Sequence, residues 1–343
     1  MKFSVLTPCY NSARFVVSSA QTLYKQDFSD WEHILINDGY KDDTLVVLKD
    51  LAKEDSRIRV IDQTNSGVSV TRNRGMDEAR GQWIVSLDQD DALLPNALND
   101  IDRLVSTFPE ANCFIFPYLT KDSHGRIQER VAPVFKDFGN RCFPGPEAFR
   151  LLYSDRKYRG QHWQPWRFVF RKDSIPHFRP GVIHEDLDEL PFHIAGLPTV
   201  CIAGAPFYLY TIDFSQSATH QFTVARVQDT CDITTRLYQT MARIIAKECS
   251  LQLSSEVLTG FKSLLAYNLF GFYLASATFA EPERSQYFAF FEAHKDWLLA
   301  ISDPPFQGMI KRLFLHCLGV KGTAHFVNSI RRIRSSISSR PQE

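Results

Sequence analysis

The chain has 343 residues, 44% hydrophobic and 23% charged, with 39 basic and 39 acidic side chains that cancel. That composition excludes a disordered chain, and the absence of net charge argues against nucleic acid as a partner. The length suits one large domain, or one domain with an appendage.

Taken in chain order, the segment Phe3–Pro8 reads as a short apolar strand and the stretch from Ser12 to Lys25 as an amphipathic helix. The opening MKFSVLTPCYN is too short in apolar residues for a signal peptide, and Pro8 ends the run. EHILIN, residues 32–37, is a second strand, followed by a helix expected to turn Leu45, Val46, Leu48 and Leu51 inward. IRVID (58–62) is a third strand, GVSVTRNRGMDEAR (67–80) a helix of mixed faces, and WIVSL (83–87) a fourth strand. A helix opening at Pro95 and a fifth strand, NCFIFPYL (112–119), complete the alternation. Strands alternating with helices predict a parallel, doubly wound sheet.

From about Thr120 to Thr219 the pattern is irregular, with aromatic clusters such as HWQPWRFVF. After Gln221 the chain reads as almost wholly helical, so a boundary is expected near residue 220. The uncharged run Leu264–Ala280 contains Asn268, Gly271, Ser276 and Thr278 and is read as a buried core helix rather than a membrane span. The seven cysteines are scattered without a CxxC pair. Neither a disulfide framework nor a zinc site is expected, and reduced packing thiols are the simplest reading.

Ligands of doubly wound sheets bind beyond the carboxyl ends of the strands, so TPCYN, NDGYKDD and LDQDD are the stretches that matter. No GxGxxG follows the first strand and no GxxxxGK[ST] occurs, which removes the main support for a dinucleotide dehydrogenase or a P-loop ATPase. The strand ends offer carboxylates instead: Asp38 after the second strand, and Asp88, Asp90 and Asp91 after the fourth. Crowded like charges near a core need compensation. Hard oxygen ligands suit Mg2+ or Mn2+ shared with substrate phosphates, and Arg72 and Arg74 add charge for a diphosphate. A carboxylate before a helix also serves as a cap, and for Asp91 capping stands level with a functional role.

SVLTPCYNSARFV, NDGYKDDT, NSGVSVTRNRGMDEARGQWIVSLDQDD and GVIHEDLDEL, in this order and spacing, together resemble family-2 glycosyltransferases with the GT-A fold. The resemblance covers roughly residues 1–220 and has no counterpart in 221–343. It implies an α/β, Rossmann-like nucleotide-sugar-binding domain (1–220) with a mostly helical C-terminal extension (221–343). It also implies transfer of a sugar from a nucleotide diphosphate donor with inversion, aided by Mn2+ or Mg2+. By resemblance Pro8, Cys9 and Tyr10 flank the nucleobase, Asp38 bonds the base (usually uracil), and Arg72 lies near the donor. Asp88 and Asp90 match the DxD pair, with Asp90 the metal ligand and Asp88 nearer the ribose, while Asp91 caps or touches the sugar. Asp186 matches the general base, with Glu185 as the alternative. An alcohol is a poor nucleophile while protonated, so such a base is needed.

Departures from the family pattern are Asn37 and Tyr40 in the DDGS-like turn and Thr211 where an arginine is common. His220 is a candidate for a further metal or phosphate contact. Trp163 and Trp166 serve equally as an acceptor-sugar platform or as core anchors. Between Pro304 and Gln342 there is no acidic residue, against seven lysines and arginines, and Phe326, Ile330, Ile333 and Ile337 recur at helical spacing. Such a basic amphipathic helix either lies on an anionic membrane surface or packs on its own protein.

The expected enzyme adds a sugar, from a UDP-sugar, to a glycan or lipid-linked glycan of the bacterial cell surface. Its expected location is cytoplasmic, peripheral on the inner face of the membrane. A sugar nucleotidyltransferase would want a glycine-rich basic loop after the first strand, which TPCYNSAR does not provide. A non-catalytic sugar-nucleotide-binding scaffold would lack the Glu185–Asp186 pair.

Overall fold

The structure is a computed structural model and describes residues 1–39, 41–212, 223–248, 251–276, 279–293, 295–300 and 319–323. The chain divides into two compact units. One comprises Met1–Leu152 and Gly160–Ser217, the other Tyr153–Arg159 and Ala218–Glu343.

The first unit begins with β1 (Phe3–Cys9), α1 (Val16–Tyr24), β2 (Trp31–Asp38), α2 (Thr44–Glu54), β3 (Ile58–Gln63), α3 (Val68–Glu78) and β4 (Trp83–Ser86). β2 is buried along its whole length, as expected of a strand covered on both faces. In α1, Val16, Ala20 and Leu23 recur at helical spacing and are buried, so one stripe seals against the sheet. In α2, Leu48 and Leu51 are buried, but Val46 is 58% exposed. Its position between Leu45 and Leu48 falls off the buried stripe, so the inward reading of Val46 was incorrect.

The chain continues with β5 (Ala92–Leu93), α4 (Ala97–Thr107), β6 (Cys113–Ile115), β7 (Tyr118–Lys121), β8 (Ile127–Arg130), α5 (Pro133–Phe138), β9 (Arg141–Phe143), α6 (Gly145–Phe149), β10 (Phe168–Arg171), α7 (Glu185–Gly196), β11 (Val200–Ile202) and β12 (Tyr208–Thr211). The main sheet runs β3-β2-β1-β4-β10-β6-β11-β9, and a smaller one β5-β12-β7-β8. β3, β2, β1 and β4 pair in parallel. β10 then enters antiparallel to both β4 and β6. The sheet is therefore mixed, not wholly parallel. The segment NCFIFPYL also divides, with β6 in the large sheet and β7 in the small one. Pro117, which has no N–H for a ladder, lies between them.

α3 is a polar helix that sits close to the sheet. A Cβ at Gly75 would come within 2.9 Å of Ile36 Cδ1, so glycine permits this approach. Both ends of α3 are held. Asp38 accepts from the backbone N–H groups of Ser66 and Gly67 at 2.8 and 3.0 Å. Lys172 Nζ donates to the carbonyls of Met76, Asp77 and Ala79 at the other end, where the helix dipole favours a cation.

The cysteines are not all free thiols. Cys142 on β9 and Cys201 on β11 are direct cross-strand partners and are joined as a disulfide. They lie 59 residues apart in sequence, so strand pairing unites them where spacing gave no signal. Cys9, Cys113 and Cys231 are free and buried.

The second unit contains α8 (Val224–Glu248), α9 (Leu251–Ser276), α10 (Glu283–Ala293) and α11 (Lys295–Leu299). Ala266, Leu269, Phe270, Tyr273 and Leu274 of α9 lie in its core. Ser154 donates to the Val257 carbonyl, and Arg159 donates to Ser263 Oγ at 3.3 Å. These bonds explain why Tyr153–Arg159 joins the helices. Among the described residues no helix is long and apolar enough to cross a membrane. Tyr40, His220 and the basic stretch with Phe326, Ile330, Ile333 and Ile337 lie outside the described residues.

Candidate active site

The site builds from the carboxyl ends of β1, β2 and β4. At the end of β1, Pro8 is half-buried, and Tyr10 just beyond the strand is 41% exposed. Burial pushes the Cys9 thiol between them up to about 12, so Cys9 is a packing group. Asn11 takes a left-handed φ of 50° and accepts from Lys41 N–H at 2.8 Å. Ser12 N–H bonds Thr44 Oγ1 at 2.7 Å. The loop after β1 is thus tied to the loop after β2. Asp38, 5% exposed, uses both carboxylate oxygens on Ser66, Gly67 and Gln63, so it shapes the loop that begins α3.

The turn after β4 is fastened at every residue around Asp90. Asp88 N–H donates to Tyr208 Oη at 3.0 Å, and the Asp88 carbonyl accepts from Ser19 Oγ at 3.0 Å. Gln89 accepts from Tyr10 N–H at 2.9 Å through Oε1 and donates to the Tyr10 carbonyl through Nε2 at 3.4 Å. Asp91 is 3% exposed, and its oxygens accept from Tyr208 Oη at 2.8 Å and Thr211 N–H at 2.7 Å. These bonds lead to β12 and not to the start of α4, whose N-cap position is Asn96, without a side-chain capping bond. Burial, then Asp88 and Asp90, push the Asp91 carboxyl well above its ordinary range. Burial, Asp91 and Asp88 push the Tyr208 hydroxyl up as well. Asp90 itself is exposed.

Opposite this turn stands the start of α7. Glu185, Asp186 and Asp188 fill its first turn, where the helix dipole favours negative charge. Arg72 connects the two sides: Nη1 donates to Glu185 Oε1 and Nη2 to Asp88 Oδ1 at 3.4 Å. Burial disfavours the Arg72 charge, but Glu185, Asp88 and Asp186 more than compensate. Its Nε is buried without a hydrogen-bond partner. The neighbouring Asn73 exchanges two bonds with the Phe178 backbone at 2.7 and 2.8 Å, and Arg179 forks onto Asp188 at 2.9 and 3.2 Å. These contacts fix the segment leading into α7. Arg74 lies on an exposed face of α3.

The two acids at the start of α7 differ. Burial pushes Glu185 up, while Arg72 opposes the shift. Asp186 is half-buried, and burial, then Glu185, raises its carboxyl to about 7. Its Oδ1 accepts from Leu187 N–H at 2.7 Å. A carboxylate poised near neutrality is suited to taking a proton from an alcohol.

Among the described residues no cluster of three or more His, Cys, Asp or Glu side chains forms a ready-made cation cage. One exposed carboxylate, Asp90, with Asp88 two positions away fits a hard dication that takes its remaining ligands from substrate phosphates and water. Trp163 and Trp166 are 7% and 5% exposed. Trp166 stacks on Tyr208 at 4.7 Å and on Tyr210 at 5.3 Å, so it anchors the core. Tyr208, Gln89 and Asn73 escaped the sequence reading. The only local signal was their placement beside motif residues.

A mixed sheet carries an acidic turn at one strand end, faced by an acid pair on a helix, and the fold matches that of GT-A transferases. Residues 4–153 match the family model described as Glycosyl transferase family 2, and over this stretch the chain is similar to that family. It is 32% identical over 174 residues to the uncharacterized glycosyltransferase EpsJ of Bacillus subtilis, covering 50% of this chain and 48% of that protein. It is 35% identical over 152 residues to GalNAc(5)-diNAcBac-PP-undecaprenol beta-1,3-glucosyltransferase of Campylobacter jejuni, covering 42% and 49%. The chain thus spans about half the length of the curated relatives it matches.

Two solved structures extend the likeness of fold. TarS residues 1–349 of S. aureus in complex with UDP-GlcNAc superposes with a TM-score of 0.64 at 17% identity, covering 97% of this chain and 92% of that one. The mannosyltransferase PcManGT of Pyrobaculum calidifontis, in complex with GDP-Man and Mn2+, gives 0.51 at 14%, covering 91% and 87%.

Proposed function

We propose that this chain is an inverting, metal-dependent glycosyltransferase. It moves a sugar from a UDP-sugar to a hydroxyl of a growing, lipid-linked glycan at the inner face of a bacterial membrane. The observation that carries the reading is the Arg72 bridge, which sets Asp88 beside an acid pair containing a carboxyl poised near 7. The bound UDP-GlcNAc of TarS supports the donor class. The Campylobacter relative, whose substrate is built on undecaprenyl diphosphate, supports the acceptor class.

In this reading Tyr10 and Pro8 wall the nucleobase, Asp38 shapes the base pocket, and Asp88 and Arg72 face the donor. Asp186 takes the acceptor hydroxyl proton. The acceptor oxygen forms a bond to the anomeric carbon while the bond to the diphosphate oxygen breaks on the opposite face. The electron pair leaves with the nucleoside diphosphate, and the configuration inverts. Asp90 would hold Mn2+ or Mg2+ together with the diphosphate, and that ion neutralises charge on the leaving group.

A thermal-shift panel of nucleotide sugars with and without Mn2+ tests the donor assignment. Metal-dependent stabilisation by a UDP-sugar is expected, and its absence across the panel would end the assignment. The membrane position rests on the basic C-terminal sequence. Flotation with anionic liposomes should weaken on deletion of residues 321–343, and unchanged flotation would remove that part of the reading.

A further inference from the structure

One hydroxyl spans both ends of the acidic turn after β4. Tyr208 Oη accepts from Asp88 N–H at 3.0 Å and donates to Asp91 Oδ2 at 2.8 Å. The other Asp91 oxygen takes Thr211 N–H at 2.7 Å. The phenol is fully buried, and its ring lies between fixed neighbours: Trp166 is stacked at 4.7 Å with an interplanar angle of 8°, and Phe207 packs at 5.8 Å. Tyr118 meets Trp166 edge-on at 4.9 Å. The hydroxyl therefore has little freedom to follow the turn if the turn moves.

From this geometry we infer that Tyr208 and Asp91 are positioning residues, a strut that sets the backbone of Asp88–Asp91 so that Asp90 is presented to a nucleotide-bound divalent cation. The inference rests on the proposed function and assigns a task to two side chains that do not themselves reach the ligand. With both Asp91 oxygens engaged and its side chain buried, the carboxylate acts through β12. Asp90, alone of the three acids, is exposed. Removing the hydroxyl leaves a backbone donor and a buried carboxylate oxygen without their partner at once, which is the costly kind of loss.

The test uses the full chain and Tyr208→Phe, with UDP and Mn2+ as probes. Wild type should bind UDP only with Mn2+; failure there overturns the functional reading together with the strut. In Tyr208→Phe the Mn2+ concentration for half-maximal UDP binding should rise roughly tenfold, as expected for loss of an oriented bond. Trp166→Phe serves as the control, because it loosens the stack but keeps the hydroxyl. It should lower the melting temperature with less than about a threefold change in the Mn2+ requirement, as expected for a packing defect away from the ligand. If Tyr208→Phe melts earlier yet keeps the wild-type Mn2+ requirement, or if the two variants shift it equally, the hydroxyl is only a packing element and the inference is overturned.

Discussion

Gln89 and Tyr10 are joined by a two-way bridge, the side-chain amide of one matched to the backbone N–H and carbonyl of the other at 2.9 and 3.4 Å. The bridge links the residue between Asp88 and Asp90 to the residue expected to cover the nucleobase. The turn after β4 and the end of β1 are therefore one mechanical piece.

Gln89→Ala should loosen that piece without touching the acid pair. Losing a bond of this kind is worth about 0.5–1.5 kcal/mol. Donor KM should rise about three- to tenfold with kcat within about twofold, since uniform binding is what is lost. Steady-state kinetics with varied donor checks this, and a fall confined to kcat would contradict it.

Arg72 pairs with Glu185 and also reaches Asp88, and both members of the Arg72–Glu185 pair are buried, with 11% and 7% side-chain exposure. Breaking a buried pair strands a charge, so Arg72→Met should lose about 3–5 kcal/mol of folding stability. Adding Glu185→Gln should restore part of that loss, because the stranded charge goes with it. Denaturant unfolding of both single variants and the double variant reads the coupling; simple additivity would count against the bridge.

Asp186 titrates near 7 in the folded protein, above its ordinary 3.8. Proton abstraction needs the ionised form, so kcat/KM should climb tenfold per pH unit below about 7 and level off above it. For stability the sign is opposite. A raised carboxyl favours folding below pH 3.8, and that contribution disappears as pH rises through about 7. Asp186→Asn should therefore melt higher than wild type at pH 8 and about equally at pH 4. It should also lose about 10²–10⁴-fold in transfer while keeping donor binding.

Asp90 is exposed at the tip of its turn. Asp90→Asn should change the metal-free melting behaviour by no more than about 0.5 kcal/mol. The Mn2+ requirement for turnover should nevertheless rise, and chelation with EDTA should abolish wild-type activity. Equal Mn2+ titrations of variant and wild type would shift the metal elsewhere.

The half of the fold from β1 to β4 was legible because each strand is a local apolar run and each helix a local stripe. Asp38, Asp88, Asp90 and Asp91 could be found because turns at strand ends are short and polar. What local pattern cannot carry is pairing across distance. Nothing in FVFR says that β10 runs against β4, and nothing near Cys142 points to Cys201. Tyr208 lies three residues before Thr211, and its contacts are with Asp88 and Asp91, over a hundred positions away. The outward face of Val46 was not legible, because three apolar neighbours blur the phase of the helix.

The reversed direction of β10 has a consequence for how this domain can change length. Just before the strand, Trp166 stacks on Tyr208 beneath the acidic turn; just after it, Lys172 holds the end of α3. The four residues of β10, at about 3.3 Å each, make a spacer of roughly 13 Å between the two supports. Inserting or deleting one residue would turn every side chain to the opposite face and pull one support off its mark. Tolerated length variation should accordingly fall outside 166–172, and β10 acts as a fixed gauge for the distance between the two.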